Sequence, residues 1–412
     1  MTKQNRHCTS KLTILYVTHS LPYPPTKGEK IRVFHQVREL AREHQVHLVC
    51  GVERSDDVAG VDALARICAS VTPVPISRLA TRLRAAQAFV TGRSRSAHSH
   101  NSAELRRAVE RTLGSGRFDA ILASSVGVAE CVRWVDTIPK AIDFVDATSE
   151  LWKATADNQR FPLSWLHRLE AGRLARYEAD VARRFDSAIV VSETEAKILR
   201  RQAADVTIAV VGNGVDLEAF TPAPALHRPP PNIVFTGTMD YSPNVDAVRY
   251  FCDAVLPRVR HAVPTVRFTI VGRRPTRAVW RLRRHGQVTV TGSVPDVRPY
   301  LLQAAVAVAP FRFARGIQNK ILESMASGVP VVGTSLVLDA LEVTDEHGAR
   351  RADDPASFAR EVVTLLLDPE WRAVCSRRAR SFVEHRHRWD MHSPSWHLKA
   401  MVETWHRASS GG

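Results

Sequence analysis

Short β-branched runs alternate with amphipathic segments along most of this chain, and that alternation limits the open folds more than any single motif does. LTILYV, HQVHLVC, FDAILAS, KAIDFVD and SAIVVSE lie in the first half, with helical stretches over about 28–42 and 164–184 between some of them. Runs in this rotation build a parallel sheet covered by helices. The pattern breaks at VVGNGVDLEAFTPAPALHRPPPN, whose Gly, Asn and Pro density marks turns and a stiff linker. It restarts with NIVFTG, a helix over about 244–260, VRFTIVG, a basic helix over about 277–284, QVTVTG, AAVAVAP and VPVVG. Short apolar runs bounded by Gly or Pro are what fully buried parallel strands look like. A chain of 412 residues, 44% of them hydrophobic, can bury two such cores. The expected fold class is therefore α/β, with two Rossmann-like doubly wound domains facing a central cleft. Residues 1–220 form the first domain, 221–231 a linker, 232–385 the second domain and 386–412 a crossover helix and tail that packs back on the first domain.

The formal net charge of +15 predicts an anionic partner: nucleic acid, phospholipid or a phosphorylated substrate. An Arg-rich chain with solvated cationic faces would give the same excess. No recognition-helix, RNA-binding or aromatic-platform motif accompanies the charge, so nucleic acid is not expected. The six cysteines are scattered without C-x-x-C or Cys/His spacing, which suggests neither a disulfide frame nor a zinc site and fits a reducing cytoplasm. No apolar run approaches the ~20 residues that span a bilayer. The basic start leads into an apolar piece too short for a signal peptide, and it reads as the first strand.

The stretch FRFARGIQNKILESMASGVPVV, residues 311–332, carries the densest chemistry. If Gly316 makes a tight turn and a helix begins near Ile317, the free N–H groups of Ile317, Gln318 and Asn319 face outward at the positive end of the helix dipole. That is an anion site, to which Arg312, Arg315 and Lys320 add cationic donors. Glu323 shares a face with Asn319, one turn on. A carboxylate there suits vicinal hydroxyls such as those of a ribose. Taken alone, that reading and a solvated helix Glu with decorative cations balance evenly.

A second anion-binding turn is expected at THSLPYPPTKGEKIR, where Gly28 starts a helix beside Lys27, Lys30 and Arg32, although ordinary capping explains this segment better. KAIDFVDATSELW ends a buried strand with Asp143, which burial would force into a pair, and then Asp146 and Ser149, either of which faces the cleft or caps the next helix. Gly237 with Thr238, Gly272 and Gly292 follow strands and permit close approach of a ligand. No D-x-D pair occurs, so a metal-bound diphosphate has no obvious ligands, and no metal or cofactor is expected. His98/His100 and His385/His387 suit no metal site and read as surface residues.

These segments together resemble the retaining glycosyltransferases of family 4, which have the GT-B fold. VVGNGVDLEAF resembles the family's interdomain turn, and FTIVGRRP, VTVTGSVPDVRPYLLQAAVAVAPF and GIQNKILESMASGVPVV resemble its donor domain in order and spacing. SLPYPPTKGEKIR, DFVDATSELW and FTGTMDYSPNVDA are similar to the sugar transferases found with exosortase-associated (PEP-CTERM) exopolysaccharide systems. The resemblance implies that the second domain binds a nucleotide sugar through Gly237, Thr238, Gly272, Val294, Arg312, Gly316, Ile317, Gln318, Asn319 and Glu323. It makes the first domain the acceptor side, with Lys27, Gly28, Lys30, Arg32 and Ser149, and a catalytic set of Glu323, Arg315, Lys320 and Asp146. Glu323 would be the second Glu of the family's Glu, seven residues, Glu motif, but the first falls at Arg315, and the family's Arg and Lys after the first donor-domain strand are missing. The implied reaction moves a hexose-type sugar, without a metal, to a polyprenyl-linked or growing glycan, at the cytoplasmic face of an anionic membrane. A nucleotide-sugar 2-epimerase of related fold and a noncatalytic donor-binding subunit are the alternatives.

Overall fold

The computed structural model describes residues 11–26, 28–52, 58–157, 159–222 and 231–410. Among the described residues, thirteen strands form two sheets. The first unit contains β1 (Thr13–Thr18), β2 (Gln45–Val52), β3 (Ser70–Pro75), β4 (Ala120–Ser124), β5 (Lys140–Val145), β6 (Ser187–Val190) and β7 (Ile208–Val210), ordered β3-β2-β1-β4-β5-β6-β7. The second contains β8 (Asn232–Thr236), β9 (Arg267–Val271), β10 (Val288–Val290), β11 (Val306–Ala309), β12 (Val331–Gly333) and β13 (Ala349–Arg351), ordered β10-β9-β8-β11-β12-β13. Every pairing is parallel, as the apolar runs predict. In each sheet the order reverses beside the first strand, between β1 and β4 and between β8 and β11. Doubly wound sheets bind ligands beyond the carboxyl ends of the strands at such a reversal.

The first unit comprises Met1–Val211 and His392–Gly412, and the second Gly212–Met391. The sequence places the linker later, at 221–231, of which 223–230 lie outside the described residues. The glycines that suggest a linker instead mark close packing inside the second unit. A Cβ at Gly214 would lie 2.6 Å from the Trp389 nitrogen. Val215 N donates to His387 O at 2.7 Å, and Arg380 donates to Phe220 O at 2.6 Å.

The C-terminal helix Ser395–Ser410 returns to the first unit. Leu398, Met401 and Val402 join the same core cluster as Ile14 and Tyr16 of β1. Polar ties fix its start: Ser395 Oγ donates to Glu43 Oε2 at 2.9 Å and lies 2.8 Å from His44 Nε2, and Lys399 pairs with Glu43 at 2.8 Å.

Arg32 lies inside the first core. It is fully buried, its Nε and Nη2 hold both Asp143 oxygens at 2.8 and 3.2 Å, and Nη1 donates to Val211 O at 2.9 Å. Gln36 Nε2 also donates to Asp143 at 2.8 Å and is itself held by the Tyr16 hydroxyl at 2.7 Å. The expectation that Arg32 meets an acceptor-side anion is thereby corrected: its guanidinium is spent on joining the helix Gly28–Glu43 to β5 and to the end of β7. Arg32→Met should lower the unfolding free energy in urea by about 3–5 kcal/mol, because a buried carboxylate loses its cation. A loss under ~1 kcal/mol, the range of an exposed pair, would mean that Asp143 finds another partner.

Candidate functional site

In the second unit the ends of β8 and β9 close on one another. Gly237 N donates to Val271 O at 3.0 Å, and a Cβ at Gly272 would lie 1.6 Å from Gly237 O, so no side chain fits there. At Gly237 a Cβ would come within 2.7 Å of the Asn244 amide and 3.2 Å of Lys320 Nζ. The turn after β8 therefore leaves a bare backbone surface with an ammonium against it.

Lys320 stands in the first turn of the helix Asn319–Ala326. Its ammonium donates to Asn244 Oδ1 at 2.6 Å and lies 4.8 and 4.7 Å from the ring centres of Phe235 and Phe311. Asn244 in turn donates to Thr238 O at 2.9 Å, which ties the helix to the glycine turn. Aromatic faces attract a cation but do not replace water's hydrogen bonds. Desolvation accordingly pulls the Lys320 pKa down to about 7, opposed by Glu323, and pushes Glu323 up to about 7, opposed by Lys320. The mutual attraction does not offset the desolvation of either group.

The helix begins at Asn319, two residues later than the sequence suggests, because Gly316 takes a left-handed φ of 61° and Gln318 becomes the N-cap residue. The Gln318 side chain makes no capping bond to that N-terminus. Gln318 Nε2 folds back to Arg315 O at 3.1 Å, and Asn319 Oδ1 accepts from Asn213 at 3.0 Å. The structure thus gathers Gly237, Thr238, Gly272, Gly316, Gln318, Asn319 and Lys320, with Glu323 a turn behind and Arg315 half-buried at the turn's entry. Ile317 and Val294 pack against the core, and their side chains offer shape rather than polar contact. Arg312, expected to meet phosphate, is exposed, grips Asp246 through two nitrogens and lies 5.3 Å from the Tyr250 ring centre. Its charge is already matched by that carboxylate.

The first unit presents a second group. Beyond β5 the chain turns sharply, with Val145 at φ 63° and a register shift between Asp143 and Val145. Asp146 follows, its pKa raised to about 7 by desolvation first and by the Glu195 carboxylate second. Ser149 is not available as an acceptor ligand: it is buried, and its hydroxyl and amide both donate to Glu178, the amide at 3.1 Å. Glu195 accepts from Ala147 N at 2.8 Å, so two buried carboxylates cap the helix Thr148–Asp157. Gly28 opens its helix exposed, Lys30 is half-buried in the first turn, and Lys27 lies outside the described residues.

Four residues escape the sequence reading. GTMDYSPN reads there as a segment without a base, yet Asn244 orients Lys320. Arg273, half-buried beside Gly272, has its pKa lowered by burial and then by Arg274. His100, read as a surface residue, stacks on His19 with ring centres 4.3 Å apart, and His19 Nε2 lies 3.1 Å from Glu29. The only sequence signal for His19 is its position directly after β1, where a doubly wound sheet meets its ligand.

Residues 230–368 match the family described as Glycosyl transferases group 1. A phosphatidyl-myo-inositol mannosyltransferase from Propionibacterium freudenreichii is 26% identical over 274 residues, which span 63% of this chain and 65% of that protein, just under two thirds of its length. Among solved structures, sucrose-phosphate synthase from Thermosynechococcus elongatus superposes with a TM-score of 0.69 at 16% identity, covering 98% of this chain and 100% of the other. Anabaena HepE in complex with UDP and glucose gives a TM-score of 0.64 at 14% identity, covering 97% and 99%. The fold is GT-B. Its second domain carries the group 1 glycosyl transferase pattern, and the Gly237–Gly272 turn, Asn244, Lys320 and Glu323 all fall within the matched residues.

In this GT-B chain Asp146 supplies a pH test. A carboxyl raised from 3.8 to about 7 binds its proton more tightly folded than unfolded, so its stabilising contribution is full below about pH 4 and is lost as pH rises through about 7. Asp146→Asn should flatten the decline of Tm across that window, leaving the parts due to Glu178 and Glu323, which are also raised to about 7. An Asn variant whose Tm falls with pH as steeply as the parent's would show that Asp146 titrates normally.

Proposed function

We propose that this chain is a retaining glycosyltransferase, of the family 4 kind, that takes a hexose-type sugar from a nucleotide sugar without needing a metal. The observation that carries the reading is Lys320: a desolvated ammonium held by Asn244 and two aromatic faces against the bare Gly237 turn, at the start of a helix whose N-cap residue makes no side-chain capping bond. Such a charge is costly until an anion meets it. A nucleotide diphosphate fits, since its oxygens can take the ammonium and the free helix amides together. Glu323, one turn further, is placed for ribose hydroxyls, and in the folded domain without donor it is raised towards neutrality.

Breaking the anomeric C–O bond transfers its electron pair to the leaving diphosphate. Preorganised cations and amides stabilise the growing charge. Lys320 supplies this role where the family's Arg and Lys after the first donor-domain strand are absent, and Arg315 stands in place of the family's first Glu. In front-face transfer the leaving phosphate takes the acceptor hydroxyl's proton, so no dedicated base is required. The acceptor is a polyprenyl-linked or growing exopolysaccharide, of the kind made by exosortase-associated systems, at the cytoplasmic face of a membrane. HepE, of the same fold, is solved with UDP and glucose, and the mannosyltransferase's name specifies a lipid acceptor, phosphatidyl-myo-inositol.

A second reading rests on Arg315: with a cation where the motif has a carboxylate, the domain binds donor without turning it over. Calorimetric titration with UDP and GDP, followed by product analysis with the matching nucleotide sugars, separates these readings. Lys320→Ala and Glu323→Ala should each weaken nucleotide binding roughly tenfold or more, from loss of a charge-assisted hydrogen bond worth about 1.5–3 kcal/mol. Chelator treatment should leave turnover unchanged. Undiminished affinity and turnover in Lys320→Ala would refute the assignment of the diphosphate to this residue.

A further inference from the structure

The helix Arg78–Val90 in the first unit is turned inside out. Leu79, Leu83, Ala86 and Val90 recur at the spacing that places side chains on one face, and Leu79, Leu83 and Val90 are 68%, 62% and 84% exposed. Ala88 alone is buried in that helix. An amphipathic helix on a globular domain normally turns its apolar stripe to the core. Here the stripe faces out.

The charge around it is of one sign. No Asp or Glu occurs between Asp62 and Glu104, whereas Arg66, Arg78, Arg82, Arg84, Arg93 and Arg95 all lie in that interval. Arg84 is used internally, donating to Ser99 O at 3.1 Å, but Arg82 and Arg93 are exposed beside the stripe. The helix is also anchored: Arg173 donates to Phe89 O at 3.0 Å, and its guanidinium lies 5.3 Å from the Phe89 ring centre. Arg173 belongs to the helix Leu163–Arg184, whose start exposes Phe161, Leu163 and Trp165.

We propose that the helix Arg78–Val90 docks on an anionic phospholipid surface, with Leu79, Leu83 and Val90 entering the acyl boundary and Arg82 and Arg93 reaching the phosphates. Charge complementarity selects this occupant. A second copy meeting the stripe about a two-fold axis would bring Arg against Arg with no carboxylate on the face to relieve it. A nucleic acid would match the charge but has no use for an exposed aliphatic stripe. A lipid surface satisfies both, because Arg stems lie along apolar surface while their heads stay at the phosphate level. The inference stands apart from the donor assignment, and neither depends on the other.

The test is flotation of the full chain with vesicles of phosphatidylcholine alone or mixed with phosphatidylglycerol. The parent should float with the mixed vesicles and stay unbound with neutral ones. Leu83→Glu combined with Val90→Glu should cut the bound fraction roughly tenfold or more. Arg82→Ala with Arg93→Ala should abolish the preference for phosphatidylglycerol. Leu367→Glu, at an exposed leucine of the second unit, should float like the parent. The altered side chains are exposed, and unchanged melting curves would exclude misfolding. A parent that ignores mixed vesicles, a Leu83/Val90 variant that floats undiminished, or a parent dimer that this variant converts to a monomer would each overturn the proposal.

Discussion

Everything at the candidate site of the second unit depends on one close approach, that of the Gly272 backbone to the Gly237 carbonyl. Because no Cβ fits between them, the ends of β8 and β9 draw together and the turn after β8 is stripped of side chains. Into that bare space comes Lys320 from a helix almost fifty residues beyond β9, steered by Asn244 and by the two phenylalanine faces. A cation so placed has lost water without gaining a full counter-charge. The protein carries that cost in its unliganded form, and the diphosphate proposed above as its ligand would relieve it.

The first unit treats charge the opposite way. Arg32 and Asp143 are as deeply buried as any residues in the chain, but every nitrogen of the guanidinium fork has an acceptor and the carboxylate has further donors in Gln36 and Val145. That network is a fastener. It joins the helix after β1 to the interior strand β5 and to the end of the last strand β7, and holds the chain in place just before it turns into Asp146. The two units therefore show that a buried charge says little by itself. What distinguishes a fastener from a site is whether partners inside the protein complete it.

The two sheets were legible in the sequence for a physical reason: interior parallel strands are buried on both faces and read as unbroken β-branched runs. The strands that escaped, β3, β7 and β13, are all sheet edges. β3 carries two prolines, tolerable only where one side of the strand lacks a partner, and β7 and β13 are three residues each. In the candidate site, residues tied to backbone geometry were readable, since Gly237, Gly272 and Gly316 announce turns. Asn244, Arg273 and His19 were not. Their types are ordinary, and only the folded chain brings them to the ligand ends of the sheets.

The sequence by itself determined the α/β class, the doubling of the domain and the Gly316–Glu323 segment as the densest site, because period, strand burial and turn chemistry are local properties of consecutive residues. Tertiary structure alone decided which cations remain for a ligand. Arg32 met Asp143, Arg312 met Asp246, and Lys320 met the amide oxygens of Asn244 and Gln318 and two rings. It also decided that the Leu79, Leu83 and Val90 stripe faces outward, which helical spacing cannot tell from a stripe that faces in. Pairing and burial depend on which distant residues share a neighbourhood, and linear order does not contain that information.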